Sequence, residues 1–407
     1  MRAFGHAVMF PHPAAVCILG GMKLFPFTCL RPTAVSAPAL MTLPYEDLAL
    51  APAAEHERHE AGIDWPHGSG AGERRELARR LASGELVADE RPCLYVYRID
   101  TAEGGALTGV VGCCDVNEYL GGAIRRHEQT RTAVEQTRAA HIEALGAQTG
   151  PVLLAHRPSA HVGSAVGRVI ARNAPELDLT DALGARNRVW RLEEPSDQAP
   201  VLQAFAHVAR AYIADGHHRM AASASVARAR RARGEVGGAG TFLAALFDAH
   251  DFTLLSCNRI VRGAADGLVG KLRAARLGVT ELPGRPATQR RGHASVLCEG
   301  AWFDVCLGPA PAGGALAALD ATLLQDRVLK PVLGVDDPRR DARMAFVGGI
   351  CGLTGLERAC GAHDVAFALR PPNVDEVLCV SDAGLVMPPK STWFEPKPRG
   401  GLFARLI

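Results

Sequence analysis

The chain has 407 residues, 48% apolar and 22% charged, with a formal net charge of +2, which fits a folded protein of two or three domains or one large one. The near-neutral charge argues against nucleic acid as a partner, and no run reaches the ~18 apolar residues of a membrane span, so a soluble, cytoplasmic protein is expected. The cations are 40 Arg and only five Lys, which marks each Lys, Lys390 and Lys397 among them, as a candidate for chemistry.

Residues 1–21 read as a misassigned start or an extension, because Met22 opens "MKLFPFTCLRP", which resembles a protein start. Residues 72–83 have helical periodicity, with Leu77 and Leu81 four apart and Gly84 as the stop. The runs 93–99 and 106–116 predict a β-hairpin. Residues 132–146 predict a helix, with Thr132 and Glu135 at capping-box spacing. An apolar strand is predicted at 151–157 and a polar connection over 158–186. A strand follows at 188–195 and a helix at 199–211. Core strands are expected at 241–247 and 254–261, and a boundary near 262 divides a core domain (22–262) from a C-terminal portion (263–407). Beyond it come a helix (267–279), a hairpin turning at Glu299–Gly300 (294–308), a long helix stalled by Pro331 (315–335) and a strand (365–370). Strands and helices mixed with hairpins give an α+β, or mixed α/β, fold. Eleven Cys without a CxxC pair indicate a reduced compartment and no cysteine zinc site.

Three segments carry candidate chemistry. "YIADGHHRMAASASVARAR" (212–230) joins a strand-like run to a helix-forming run through Asp215 and Gly216. Asp215 is a suitable N-cap. A helix start after a glycine turn presents free N–H groups to an anion, and Arg219 adds a bidentate fork. Two histidines and an arginine there oppose the helix dipole unless an anion offsets them. A solvent-facing capped helix and a metal site are the alternatives; adjacent His217 and His218 point about 100° apart, which disfavours a shared metal. "GGAIRRHEQTR" (121–131) places His127, Glu128, Thr130 and Arg131 in a turn, with Glu128 kept ionised by its arginine neighbours and suited to act as a base or magnesium ligand. "VMPPKSTWFEPKPRGG" (386–401) stiffens the backbone before Lys390, Ser391 and Thr392, a phosphate-contact composition without Walker spacing. "FVGGICG" (346–352) is a weak nucleotide signal, and Tyr45 in "LPYED" reads as core rather than ligand.

The ordered series "LYVYR", "IRRHEQTR", "HIEALGAQTGPV", "YIADGHHR", "FVGGICGL" and "MPPKSTWFEPKPRGGLF" resembles the bacterial family called domain of unknown function 1015, over about residues 22–407. Its DGHHR is similar to the Gly-x-His-Arg type motif of the ParB/sulfiredoxin-like fold, found also in related form in free-serine kinases, where it binds nucleotide phosphates at a helix start. The resemblance implies a ParB/sulfiredoxin-like core with a C-terminal α+β extension. It implies phosphate and catalytic roles for Asp215, Gly216, His217, His218 and Arg219, and it matches His127, Glu128 and Thr130 to the family's HE-x-T and Lys390, Ser391 and Thr392 to its tail. Val134 and Thr137 stand where the family has Lys and Asp, and Glu46 stands where it has Asp.

The expected function is phosphoryl transfer to or from a small hydroxylated metabolite, with serine or phosphoserine suggested by the family's gene neighbourhoods and ADP or ATP with Mg2+ as cofactor. Two alternatives stay open: a nucleotide-binding switch without turnover, and a metal-dependent hydrolase built on His127, Glu128 and His217 or His218.

Overall fold

Two β-sheets of unequal size carry the architecture of the computed structural model, which describes residues 20–60, 70–235, 237–311 and 314–407. Most of the N-terminal extension expected at 1–21, residues 1–19, lies outside the described residues. The larger sheet has the spatial order Ile124–Arg125, Ala211–Asp215, Val152–His156, Thr241–Asp248, Ala106–Asp115, Leu94–Asp100, Arg186–Leu192, Leu177–Thr180, with Leu24–Phe25 added beside Ala106–Asp115. Two of its pairings are parallel, Ala211–Asp215 with Ile124–Arg125 and Thr241–Asp248 with Val152–His156; the others are antiparallel. Helices and sheets of this kind make the fold α+β, as the residue pattern indicates.

The central strands are apolar on both faces because both faces are covered. One face packs Leu94, Val96, Val110 and Leu154 beneath the helices Ala160–Arg172, Pro195–Phe205 and His217–Ala232. The other face packs Tyr95, Tyr97, Val111 and Phe247 against a segment that arrives at the end of the chain: Val377, Leu378, Met387, Phe394, Leu402 and Phe403. The last strand, Ala404–Leu406, joins a small sheet with Leu30–Pro32 and Ala147–Thr149.

The second sheet is antiparallel, in the order Gly278–Glu281, Ala301–Cys306, His293–Cys298, Val365–Leu369, Cys257–Val261, Met344–Gly348. Its hairpin turns at Glu299 and Gly300, whose φ values of 49° and 80° are those of a tight two-residue loop. It begins at Cys257, close to the boundary expected near 262, but residues after about 370 pack back on the larger sheet.

Several elements differ from their sequence reading. The connection expected over 158–186 contains the helix Ala160–Arg172 and the strand Leu177–Thr180. Its helical signal was present: Ser159 caps Val162, and Val162, Ala165, Val166 and Val169 form one buried stripe, with Gly163 and Gly167 on the exposed face. The helix expected at 267–279 ends at Ala274, and Gly278–Glu281 turns into an edge strand. The long helix expected at 315–335 shrinks to Asp320–Leu324 and a wider turn, Gln325–Leu329, closed by Lys330 N–H on Gln325 O just before Pro331. The Thr132–Glu135 capping box does not form: Arg131 is the N-cap without a side-chain bond, and Glu135 accepts from the Thr130 hydroxyl at 3.5 Å instead.

Phe403 lies edge-on to both Tyr95 and Tyr97, at 5.4 and 5.6 Å between ring centres. Phe403→Ala is expected to destabilise the protein by about 3–5 kcal/mol in denaturant unfolding; a loss below about 1 kcal/mol would show that the tail is not integral to the core.

Candidate functional site

The strand that ends at Asp215 is irregular where it matters. Against Val152–His156, Ile213 pairs with Leu154, yet Asp215 pairs with Leu153, so one extra residue is inserted. A bulge re-aims the side chains beyond it. Ile213 belongs to the helix-covered core, and in a regular strand Asp215 would share that face. The bulge sets it opposite Leu153 on the tail-covered side, and both residues line a cavity of about 450 Å³. Gly216 follows with φ 88°, a conformation open to glycine, and is itself the N-cap of the helix His217–Ala232. The N-cap role expected of Asp215 is therefore not realised: no side chain caps this helix, and the carboxylate is turned into the cavity. The free N–H groups of the first turn stay available to a ligand.

All three motif segments reach this one cavity. Glu128 and Arg131 come from the first, Asp215 to Arg219 from the second, and Pro389, Lys390 and Lys397 from the tail. The remaining walls include Thr42–Tyr45, Arg138, Gly150 and Pro151, the turn residues Pro338, Arg339 and Asp341 with Met344 and Phe346 of the second sheet, and Pro398–Gly400. Arg219 is anchored by a hydrogen bond from its Nη1 to the Pro151 carbonyl, and no carboxylate pairs with it among the described residues. Lys390 is exposed and adopts φ 53°, an uncommon conformation for a non-glycine residue. Lys397 is buried, 2.8 Å from Glu395 and with the Trp393 ring 4.2 Å away. Arg399 is buried with its Nε 2.6 Å from Asp181.

Other expected site residues lie behind the cavity wall. His127 is buried; its Nε2 shares a 2.9 Å hydrogen bond with Thr392 Oγ1, and its ring meets His217 edge-on at 4.5 Å. Ser391 Oγ donates to the Pro388 carbonyl at 2.7 Å. Thr130, Ser391, Thr392 and His127 do not line the cavity. Tyr45, read as core, is instead 57% exposed at the rim. Val134 and Thr137, the departures from the family pattern, are not lining residues, whereas the retained Arg138 is. Arg339, Asp341 and Arg399 were not singled out from sequence. Arg339 and Asp341 lie in a turn with no motif, and Arg399 was only part of the tail's basic run.

The histidines are held neutral. Burial lowers His127 to about 4, with the Asp215 charge pulling the other way. Burial also takes His217 well below its ordinary value, reinforced by His127, His218 and nearby cations. His218 is lowered by burial and by Arg131 and Arg138, and its Nε2 accepts from the Arg131 N–H at 3.0 Å. For Glu128 the sequence stressed neighbouring arginines. The larger influence is burial, which raises its pKa, and Lys390 opposes that rise. A carboxylate with a raised pKa in a cavity is suited to accept a proton.

The hydrolase alternative placed a metal on these rings. His217 Nδ1 is 4.0 Å from Glu128, and His218 Nε2 is engaged by backbone N–H. Among the described residues, no three His, Cys, Asp or Glu side chains group so as to hold a metal ion. No helix among them is long and apolar enough to cross a membrane.

The chain belongs to the family described as "Protein of unknown function (DUF1015)", whose model matches residues 24–322. That span includes the Glu128 and Asp215–Arg219 segments and ends before Lys390. No curated protein matches the chain in sequence. Among solved structures, it is similar to a mutant free serine kinase in complex with ADP (TM-score 0.38, 16% identity, covering 70% of this chain and 87% of that one). It is also similar to a conserved hypothetical protein from Pyrococcus furiosus (TM-score 0.38, 15% identity, 73% and 95%). SbnI with C-terminal truncation from Staphylococcus aureus is a third (TM-score 0.38, 14% identity, 71% and 84%).

The neutral His127 gives a stability test. Its folded pKa, about 4, is below the 6.5 of a free imidazole. The stabilisation is complete above pH ~6.5 and is lost as pH falls towards 4, because the unfolded chain takes up the proton first. Unfolding free energies of wild type and His127→Gln, measured from pH 7 to pH 4, should converge by up to about 3 kcal/mol. A pH-independent difference would contradict a buried neutral imidazole.

Proposed function

We propose that this protein is a nucleotide-dependent enzyme that transfers a phosphoryl group to or from a small hydroxylated metabolite, with serine or phosphoserine as the first candidates. The observation that carries this reading is the convergence of three distant segments on one cationic cavity. Seven cations line it (Arg131, Arg138, Arg219, Arg339, Lys390, Lys397 and Arg399) against three carboxylates (Glu128, Asp215 and Asp341). Its volume of about 450 Å³ suits a nucleotide-sized ligand.

Phosphoryl transfer needs positioning and charge neutralisation more than covalent chemistry from the protein. The backbone N–H groups at His217–Arg219 and the Arg219 guanidinium bind phosphate. Lys390 neutralises charge that develops during transfer. Glu128 accepts the proton of the attacking hydroxyl. His217 and His218 contact the substrate as neutral imidazoles. Tyr45, at the rim, offers a face on which a base can stack. The residues fit an ion carried by the nucleotide: Mg2+ can bind through a single carboxylate plus phosphate oxygens, and Asp215 faces the cavity beside Glu128, which leaves Glu128 as the base. When bound, it would supply further charge neutralisation. The similarity of DGHHR to the phosphate-binding motif of the ParB/sulfiredoxin-like fold supports the same assignment.

A switch without turnover is the second reading, favoured because Met344 and Phe346 of the second sheet, with Pro338, Arg339 and Asp341 of the turn before them, line the cavity wall. A bound nucleotide would then bridge the two sheets. Measuring product and molar mass on the same sample separates the two readings.

Calorimetric titration with ADP and ATP, with and without Mg2+, tests the binding claim. Arg219→Ala should weaken ADP by at least about tenfold, the scale of a lost charge-assisted hydrogen bond. Absence of binding by wild type, or unchanged binding by Arg219→Ala, would contradict it. Tyr45→Ala should weaken ADP by about 5- to 100-fold and leave inorganic pyrophosphate unaffected, since stacking involves only the base. An equal loss for both ligands would remove Tyr45 from base recognition.

A further inference from the structure

Arg259 is the least expected charge in the molecule. It occupies the middle of the strand Cys257–Val261 in the second sheet and is 3% exposed. Among the described residues no carboxylate lies within ion-pair distance of it. Its guanidinium is satisfied by neutral oxygens instead. Nη1 donates to the Cys257 carbonyl at 2.8 Å. Nη2 donates towards the Pro389 carbonyl at 3.3 Å, the Lys390 carbonyl at 3.4 Å and Ser391 Oγ at 3.5 Å. The Phe346 ring, which lines the cavity, lies 5.9 Å from its carbon and is its cross-strand neighbour.

Burying a cation without a counter-ion is costly, and an apolar side chain could fill this space more cheaply. The backbone it touches is also under strain. Lys390 has φ 53°, and a non-glycine residue keeps that conformation only where its surroundings fix it. Two devices fix it here. From within the turn, Ser391 Oγ bonds to the Pro388 carbonyl. From outside, Arg259 reaches the next two carbonyls with Nη2, while Nη1 ties the guanidinium to the Cys257 carbonyl of its own strand. Lysine could not replace it, because an ammonium is a point donor and cannot hold the Cys257 carbonyl with one nitrogen and the turn with another.

We infer that Arg259 is a positioning residue: it holds the carbonyls of Pro389 and Lys390 so that the Lys390 ammonium is presented to the cavity. The role for ligand binding rests on the anion-binding reading above; the effect on the turn does not. Arg259 touches no ligand and acts through Lys390.

Two measurements on the full chain test this. The first needs no ligand. Amide hydrogen exchange at Lys390–Thr392 should speed up by about tenfold or more in Arg259→Met and Arg259→Lys, while Ala211–Asp215 keeps its protection. Unchanged exchange in that segment, or an equal rise in both segments, would overturn the positioning role whatever the protein binds. The second is a double-mutant cycle on ADP affinity with Arg259→Met and Lys390→Ala. Each single change should weaken ADP about tenfold, the scale of one charged contact. The double variant should bind no more weakly than the worse single one. Losses that multiply would show that Arg259 acts independently of Lys390. If wild type binds no ADP, the functional reading fails, and the exchange result alone decides the inference. Arg259→Lys keeps the charge and serves if Arg259→Met does not fold.

Discussion

The return of the C-terminal segment to the open face of the larger sheet is the constraint on which the rest depends. Helices cover the other face, so Tyr95, Tyr97 and Phe247 would meet water without Phe394, Leu402 and Phe403. Burial of a large aromatic ring stabilises by a few kcal/mol, and several rings are involved. The same packing carries Lys390, Lys397 and Arg399 to the cavity rim. The core and the candidate site are thus closed by one segment, and the tail cannot leave without dismantling both.

A second constraint acts at the opposite wall. The inserted residue before Asp215 and the left-handed Gly216 turn a strand end into a helix start that no side chain caps. Uncapped helix starts are unfavourable unless something else meets the free N–H groups. Here the neighbours are neutral imidazoles, the Asp215 and Glu128 carboxylates and a larger number of cations around the cavity, a balance that favours an anionic ligand. Arg259 extends the same theme, because its buried charge is unpaired by any carboxylate among the described residues and is aimed at backbone that shapes the site.

Much of this was legible in the residues. β-rich and apolar runs located most core strands, and the Glu299–Gly300 turn followed from its residue types. Asp215, Gly216, Arg219, Glu128 and Lys390, which line the cavity, stood out because glycine turns, helix starts and isolated polar clusters have local signatures. Failures arose where a local signal was overridden or absent. Gly163 and Gly167 obscured a helix whose buried stripe is regular. Asp215 has the composition of a cap, but a bulge set by pairing with a distant strand redirects it. Ser391 and Thr392 have the look of phosphate ligands, yet they spend their hydroxyls on Pro388 and His127. Tyr45 at the rim and Arg339 in its turn gain meaning only from the cavity that distant segments build around them.

A crystal structure of the protein with ADP would test the central claim most directly. The phosphates are expected at the N–H groups of His217–Arg219, with the Arg219 guanidinium and the Lys390 ammonium within hydrogen-bond distance. A nucleotide bound elsewhere, or phosphates that contact neither Arg219 nor Lys390, would contradict it.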